Sequence, residues 1–342
     1  MDLIRGISGI RGIVNETFTD AVITRYVQAF ANLQDSGIIL LARDSRSHGD
    51  SFIHSAAEGL SRSGREVINF GIIPTPTAQF IIEQNNFAGG IVITASHNPK
   101  EWNGLKFIDT DGCFLDGDKN IKLYGIADSN IVQNSNTGSV QVIENGYLQH
   151  IAHTRSLSII NTDAIEERKF SIVVDAVNGA ASKALPIMVE VLGCKVHRLY
   201  CEQDGKFPRG AEPLPHNLVD LGEAVRHHNA DAGFATDPDG DRLAIVDEKG
   251  NPLGEEYTLT ICTDGFFKST SSHAPIVTNL STTMALEKVV EIYGSKVIRS
   301  AVGEINVVNK MKEVRAVFGG EGNGGVILPE SHYGRDSLVG VA

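Results

Sequence analysis

A serine and three aspartates stand where two strand patterns end, and together they suggest phosphoryl chemistry. Residues 91–95 form a largely apolar run, flanked by Gly89, Gly90 and Pro99 as a buried strand would be, and the run stops at Ser96. In open α/β sheets, ligands bind at loops that leave the carboxyl ends of strands. The sequence therefore predicts that Ser96 is displayed in a ligand-binding loop.

A second loop of this kind, residues 236–242, carries carboxylates at alternate positions. They are Asp237, Asp239 and Asp241. The same spacing opens an EF-hand, and Glu248 falls at its twelfth position, but the sixth position is Arg242 where an EF-hand needs glycine. Residues 243–247 also indicate a strand rather than a helix. Three hard oxygen ligands beside an arginine favour Mg²⁺ next to a phosphate, with a calcium loop and a solvated acidic turn as alternatives.

Ser96 is followed by His97, which raises the alternative of a serine hydrolase. Neighbouring side chains on an extended chain point to opposite sides, so His97 is poorly placed to act as the base for Ser96, and the G-x-S-x-G elbow is missing from the sequence around it. A phosphoserine carries about −1.5 to −2 charges at pH 7 and three acceptor oxygens. One divalent cation with Lys100, Lys106 and Arg242 matches that charge. We therefore predict a phosphorylated Ser96 that faces a divalent metal ion.

Three similar series of strand and helix patterns position these loops. In the first, a capped amphipathic helix pattern at 19–37 precedes a strand at 38–42. A helix at 52–60 and a strand at 67–70 follow, and the series ends in the strand before Ser96.

The other two series have the same form and end in their own polar loops. The second consists of a strand at 171–175, a helix at 182–192 and a strand at 232–235. The third consists of a strand at 275–278, a helix at 283–292, a strand at 316–318 and a glycine-rich loop at 319–325. Such alternation predicts α/β layers with mostly parallel, mixed sheets. We expect three consecutive α/β domains with the active site in the cleft between them, and their bounds are 1–150, 151–252 and 253–335.

Composition limits the class of protein. The chain has 342 residues, of which 42% are hydrophobic and 21% charged, and its formal charge is −12. That balance argues against nucleic-acid binding, which needs a basic footprint. The sequence contains neither an export signal nor an apolar run long enough for a membrane span, and its four cysteines form no paired motif. We predict a cytoplasmic protein with no membrane partner; monomer and homodimer both stay open.

The motifs together resemble one family, the α-D-phosphohexomutases. Residues 94–99 are similar to its phosphoserine loop, residues 237–242 to its metal loop, and residues 320–325 to its sugar loop. Residues 7–12, Ile-Ser-Gly-Ile-Arg-Gly, also resemble its opening motif. The resemblance covers the whole chain in the right order.

This resemblance implies roles for the residues around the phosphoryl group. Ser96 would carry that group, and the phosphoserine would bind Mg²⁺ together with Asp237, Asp239 and Asp241. Arg242 would orient the phosphoserine.

It also implies residues that act on the sugar. Arg11 and Lys106 match positions beside the reacting hydroxyl, where acid–base help is needed, and a lysine base needs a lowered pKa. His97, within the serine motif, is counted among the catalytic candidates. Glu321 and Asn323 would hold sugar hydroxyls.

The implied reaction moves a phosphate between O6 and O1 of a hexose. Phosphoserine gives its phosphoryl group to a hexose monophosphate, the hexose 1,6-bisphosphate reorients, and its other phosphoryl group returns to Ser96. The bisphosphate would also serve as activator. This chemistry asks mainly for positioning and electrostatic stabilisation.

The sugar loop departs from the commonest family pattern, G-E-x-S-G-H. Here Asn323 replaces the serine and Gly325 the histidine. His332 could enter the site from the following segment, and an ordinary loop histidine is the alternative. The Asn-Gly-Gly version resembles archaeal-type phosphoglucosamine mutases, which favours glucosamine phosphate over glucose or mannose phosphate as substrate.

A fourth domain that grips the distal phosphate is usual in this family, and nothing in the chain matches it. We expect residues 336–342 to begin a linker to this missing domain, with Asp336 capping a helix. Two other functions stay open: a phosphosugar phosphatase that uses the same phosphoserine, and a calcium- or metabolite-binding module without chemistry.

Overall fold

Three mixed sheets follow one another along the chain, and helices cover their faces. The computed structural model describes residues 2–129 and 137–342. The prediction of α/β domains with mixed, mostly parallel sheets is confirmed.

The first sheet has seven strands and contains the Ser96 loop. Its strands are β1 (Ile4–Gly6), β2 (Gly9–Ile13), β3 (Ile39–Arg43), β4 (Val67–Ile72), β5 (Gly89–Ile93), β6 (Trp102–Ile108) and β7 (Val140–Val142). The helices of this part are α1 (Asp20–Leu33), α2 (Gly49–Arg62), α3 (Thr75–Gln84), α4 (Gly117–Asp128) and α5 (Tyr147–Arg155).

The second and third sheets have four strands each. The second consists of β8 (Ser171–Asp175), β9 (Lys195–Leu199), β10 (Ala232–Thr236) and β11 (Leu243–Val246), with helices α6 (Thr162–Arg168), α7 (Ala184–Val191) and α8 (Val219–His228). The third consists of β12 (Ile276–Asn279), β13 (Val297–Ser300), β14 (Phe318–Glu321) and β15 (Gly325–Ile327), with helices α9 (Glu255–Ser269), α10 (Ala285–Ile292), α11 (Glu304–Val314) and α12 (Ser337–Val341).

One strand order recurs in all three sheets. It reads β6-β5-β3-β4 in the first, β11-β10-β8-β9 in the second and β15-β14-β12-β13 in the third. In each case the first listed strand is antiparallel and the other three are parallel. The connection from the last parallel strand to its antiparallel neighbour carries Ser96, the three aspartates or the sugar loop. The repeated topology therefore places all three loops at equivalent sheet edges.

Local signals explain where several elements begin. The Thr19 side chain caps α1 by accepting a hydrogen bond from the Val22 N–H. At α12 the predicted cap is present, because Asp336 accepts from the N–H groups of Leu338 and Val339. This short helix packs on α7 of the second sheet and on β15 of the third.

Two of the differences from the sequence prediction have a clear physical reason. Helix α3 was not predicted, because its residues from Thr75 to Ile82 are all buried and show no amphipathic period. The glycine-rich segment 319–325, predicted as a loop, is mostly the hairpin of β14 and β15. Glycine suits this hairpin because a Cβ on Gly319 would lie 2.5 Å from the Val277 carbonyl oxygen. Close packing, rather than loop flexibility, explains that glycine.

The largest shared core joins the first two sheets. Leu40 and Val92 of the first pack with Val174 and Met188 of the second, and Leu338 of α12 enters the same cluster. This continuous apolar contact fixes the serine loop relative to the aspartate loop. Among the described residues, no helix combines the length and apolarity that crossing a membrane requires.

Candidate active site

Ser96 lies in the loop from β5 to β6 and has a left-handed backbone. Its φ is +50°, and only 2% of the residue is exposed. The Ser96 N–H donates to Thr94 Oγ1 at 2.8 Å, and its hydroxyl donates to Asp237 Oδ2 at 3.1 Å. A non-glycine residue at positive φ persists only where its surroundings hold it, and such positions cluster at functional sites. The loop geometry thus directs the serine oxygen at the aspartate loop.

Arg46 holds this loop and was not identified from the sequence. It is 1% exposed and donates to the carbonyl oxygens of Ser96, Asn98 and Pro99 at 2.8, 2.7 and 2.6 Å. Its Nε donates to Asp44 Oδ2 at 3.0 Å. The polar segment after β3 was the signal in the sequence that could have pointed to Arg46. The carbonyl groups that Arg46 contacts, however, lie some fifty residues further along the chain.

His97 does not face away from Ser96 as the sequence analysis assumed. Because Ser96 is not extended, His97 Nδ1 lies 3.3 Å from its Oγ. Arg242 donates to the same nitrogen at 3.0 Å, and burial together with the charges of Arg242 and Arg11 lowers the pKa of His97 to about 3. His97 is therefore a neutral acceptor for Arg242, a positioning contact rather than a strong base.

The three aspartates form one buried cluster. Asp237, Asp239 and Asp241 are 0% exposed, and their ligand oxygens lie within 4.8 Å of one another. Asp239 Oδ1 and Asp241 Oδ1 have no hydrogen-bond partner in the described part of the chain. Burial and the two neighbouring carboxylates raise the pKa of Asp237 well above its usual range. The unpartnered oxygens in this cluster of three carboxylates fit a divalent cation, and β11 after the loop rules out an EF-hand.

Lys106 lies between two of these carboxylates. Its ammonium group donates to Asp239 Oδ2 at 2.5 Å and to Asp241 Oδ2 at 3.0 Å. Burial alone favours the neutral amine, but the two carboxylates outweigh it and raise the pKa of Lys106 above its ordinary value. In this arrangement Lys106 is a proton donor, whereas the sequence analysis required a lowered pKa for a base.

A pocket of about 150 Å³ opens beside the cluster. It brings together most of the residues that the sequence analysis assigned to acid–base help and sugar binding. The charged and amide side chains that line it are Arg11, Lys106, Arg242, Glu304, Glu321, Asn323 and Arg335. Three different sheets supply this lining, as the predicted cleft requires.

Glu321 ends β14 and has little accepting capacity left. Its carboxylate accepts from Asn279 Nδ2 at 2.7 Å, from the Gly303 N–H at 3.0 Å and from Arg335 Nη1 at 2.8 Å. A carboxylate offers about four lone-pair sites, so roughly one remains for a ligand. Asn323 Oδ1, in contrast, is buried without a hydrogen-bond partner among the described residues and lines the pocket.

Arg335 links the loops and was missed by sequence reasoning. It donates to Asp241 Oδ2 at 2.7 Å, to Glu321 Oε2 at 2.8 Å and to Glu304 Oε2 at 2.9 Å. The residue is 8% exposed. A Cβ on Gly325 would lie 2.2 Å from Arg335 Cδ, so a histidine at 325 is incompatible with this arginine. Arg335 therefore fills the space above Gly325.

Replacing Gly325 by alanine should displace Arg335 and disturb both loops. We expect a loss of about 1–3 kcal/mol in the free energy of unfolding, because the site is packed too closely for an added methyl group. Urea denaturation measures this change. Gly265→Ala in α9 is the matched control, since its Cβ meets nothing within 4 Å and alanine in a helix should stabilise by up to about 1 kcal/mol. Equal stability of wild type and Gly325→Ala would contradict the observed packing.

The structure does not bring His332 into the pocket. Its ring is 1% exposed and packs next to His150, and its Nε2 donates to the Asp336 carboxylate oxygen Oδ2 at 3.2 Å. The alternative given for His332, a histidine outside the sugar site, therefore fits the structure better.

Comparison with known proteins agrees with this arrangement. Models of the phosphoglucomutase/phosphomannomutase alpha/beta/alpha domains I, II and III match residues 2–133, 145–250 and 254–342. The chain belongs to this α-D-phosphohexomutase family. It is a phosphohexomutase-family isomerase, and the three domain matches follow one another along the chain.

Comparison with individual phosphohexomutases shows how similar this chain is to them. The chain is 32% identical to a probable phosphoglucosamine mutase of Methanopyrus kandleri and 33% identical to a phosphoglucomutase/phosphomannomutase of Thermococcus kodakarensis. Each match covers 98% of this chain and, respectively, 74% and 75% of the relative. A family structure from Burkholderia thailandensis is 28% identical, with a TM-score of 0.85 over 99% of this chain and 75% of that one.

Proposed function

We propose that this phosphohexomutase interconverts glucosamine 6-phosphate and glucosamine 1-phosphate through a phosphoserine at Ser96. The observation that carries the mechanism is Ser96 Oγ, held at positive φ and 3.1 Å from Asp237, beside a pocket lined by Arg11 and Lys106. A phosphorylated Ser96 extends three further oxygens toward the aspartate cluster and Arg242.

The aspartates and the phosphoserine would together hold Mg²⁺. The bound ion would neutralise charge on the transferring phosphoryl group, as metal ions do in phosphoryl transfer. The unpartnered oxygens of Asp239 and Asp241 support this assignment.

In the first transfer the P–Oγ bond of phosphoserine breaks as a bond forms between phosphorus and the sugar hydroxyl oxygen. The hydroxyl proton leaves to a base, and Ser96 Oγ, the leaving group, takes up a proton. The hexose 1,6-bisphosphate then reorients. In the second transfer the bond between the other phosphorus and its sugar oxygen breaks as a bond forms to Ser96 Oγ; the Ser96 hydroxyl gives up its proton, and the sugar oxygen takes one up. Lys106 carries the proton that this second transfer needs, and Arg11 stabilises charge on the moving group.

For Lys106 to act as the base of the first transfer, its contacts with Asp239 and Asp241 must loosen. Those two carboxylates are what keeps the amine protonated. The same side chain thus serves as base and acid in successive half-reactions, as a reversible cycle requires.

Glucosamine is favoured by the polar groups that the sugar would meet. Asn323 Oδ1 is an unused acceptor among the described residues, and Glu321, with about one accepting site left, lines the same pocket. An ammonium group offers donors and no acceptors, so it suits such a lining better than a hydroxyl does. The Asn-Gly-Gly sugar loop supports the same substrate. Glucose and mannose phosphates are the second candidate, supported by the name of the Thermococcus relative.

Discharge of the phosphoenzyme tests the preferred sugar. Protein loaded with magnesium and phosphorylated by a hexose 1,6-bisphosphate is challenged with glucosamine, glucose or mannose 6-phosphate, and intact mass is followed with time. We expect glucosamine 6-phosphate to discharge the adduct fastest. Faster discharge by glucose or mannose phosphate would overturn the glucosamine assignment and keep the mutase, whereas net release of inorganic phosphate would favour the phosphatase.

A further inference from the structure

A second group of metal-ligating side chains lies outside the active site. His150 of α5, His332 of the segment after β15 and Asp336 at the start of α12 form what we call the His150 cluster. The three residues are 0%, 1% and 1% exposed. They come from the segment that joins the first two sheets and from the third domain, so the cluster ties distant parts of the chain together.

The ligand atoms of this cluster converge on one point. His150 Nε2 lies 2.9 Å and His332 Nε2 lies 3.2 Å from the same oxygen, Asp336 Oδ2. Zinc binds nitrogen and oxygen at roughly 2.0–2.1 Å in tetrahedral geometry, which separates neighbouring ligand atoms by about 3.3 Å. The observed separations are close to that value.

Hydrogen bonding alone leaves His150 unexplained. Its Nε2 has no hydrogen-bond partner among the described residues, although it touches the carboxylate oxygen of Asp336. The N–H of His150 is therefore poorly aligned with that oxygen, whereas His332 donates to it. A metal ion between the two rings would engage the His150 nitrogen that hydrogen bonding leaves unused.

The surrounding contacts fix the ligands in the way that metal sites require. Thr77 Oγ1 lies 3.0 Å from His150 Nδ1, so the far nitrogen of the ring is engaged. Asp336 Oδ1 accepts from the N–H of Leu338 at 2.8 Å and of Val339 at 3.4 Å, which leaves Oδ2 to face the histidines. Such outer contacts orient the ligands of known metal sites.

We propose that the His150 cluster binds a Zn²⁺ ion. Two imidazoles and one carboxylate suit zinc, whereas Mg²⁺ prefers oxygen ligands throughout. Complete burial keeps substrate away from the site, and the three residues leave one tetrahedral position for a further ligand. Arg335 precedes Asp336 directly, so the ion would fix the backbone that delivers Arg335 to the active site.

Zinc retention in the presence of excess magnesium tests the proposal. The full chain is unfolded with a chelator, refolded with Zn²⁺, dialysed against millimolar Mg²⁺ to compete at the aspartate cluster, and analysed for zinc by mass spectrometry. We expect about one zinc per wild-type chain, and at least a tenfold loss in His150→Gln and His332→Gln. His228→Gln should retain the zinc; His228 is exposed and stacks on His197 with 3.9 Å between ring centroids, so it controls for surface binding.

X-ray absorption of the zinc-loaded wild type decides the matter even if a histidine variant fails to fold. Scattering from two imidazole ligands is the expected result. No retained zinc, or a shell of oxygen ligands alone, would overturn the site, as would full retention by a folded His150→Gln protein. Phosphoenzyme formation at Ser96 is scored separately, so failure of the zinc site and failure of the mutase proposal are distinguishable.

Discussion

Replacing Ser96 by alanine is expected to abolish phosphoryl transfer while the protein keeps its fold. The hydroxyl is the only group that the substitution removes, and without it Ser96 has no oxygen to carry the phosphoryl group. We expect a fall in mutase turnover of about 10⁴-fold or more, the scale seen when a catalytic nucleophile is removed. Intact mass after incubation with hexose 1,6-bisphosphate measures the adduct, and a coupled assay measures turnover.

Ser182→Ala is the matched control for this experiment. Ser182 is also buried, and its hydroxyl donates to the Gly179 carbonyl oxygen at 2.8 Å rather than to an aspartate. Losing that bond should cost about 1 kcal/mol of stability and leave the adduct at Ser96 intact. A Ser96→Ala protein that still gained a phosphoryl group and turned over substrate would show that another residue carries it.

The second large effect concerns Arg335. Arg335→Met removes the charge that three buried carboxylates share, those of Asp241, Glu304 and Glu321. Breaking a buried ion pair from one side leaves uncompensated charge, so we expect a loss of about 3–5 kcal/mol in the free energy of unfolding. Because the metal and sugar loops lose their common anchor, kcat/KM should fall by about 10²-fold in the molecules that stay folded.

Two further variants separate charge from geometry at this position. Arg335→Lys keeps the charge but not the fork of donors, so it should recover part of the stability and little of the kcat/KM. Arg198→Met removes a surface pair with Glu190, both about half exposed, and should change stability by less than about 1 kcal/mol. Wild-type stability and kcat/KM in Arg335→Met would refute the anchoring role.

The architecture was largely readable from the sequence. Strand patterns that end in Ser96, in Asp237 and near Glu321 marked three loops, and the three sheets do repeat one strand order around them. Such loops can be found locally because a strand and the turn after it are encoded by neighbouring residues. Helix α3 was not predicted because it is buried on every side, and such a helix lacks the alternation of apolar and polar residues by which a helix is recognised.

Only the tertiary structure decided how the loops are held together. Residue types and spacing identified Ser96 and the three aspartates as candidates, and the family resemblance added Arg11 and the acid–base role of Lys106. It could not show that Arg335 reaches Asp241, 94 residues away, or that His332 turns into a cluster with His150. Those contacts depend on how the domains pack. Residues that are far apart in the sequence and meet only in the folded chain produce no periodic or local pattern that would reveal the contact. Local sequence thus shows which residues can do the chemistry. The protonation of Lys106 and the neutrality of His97 depend on charged side chains that only the folded chain brings close to them.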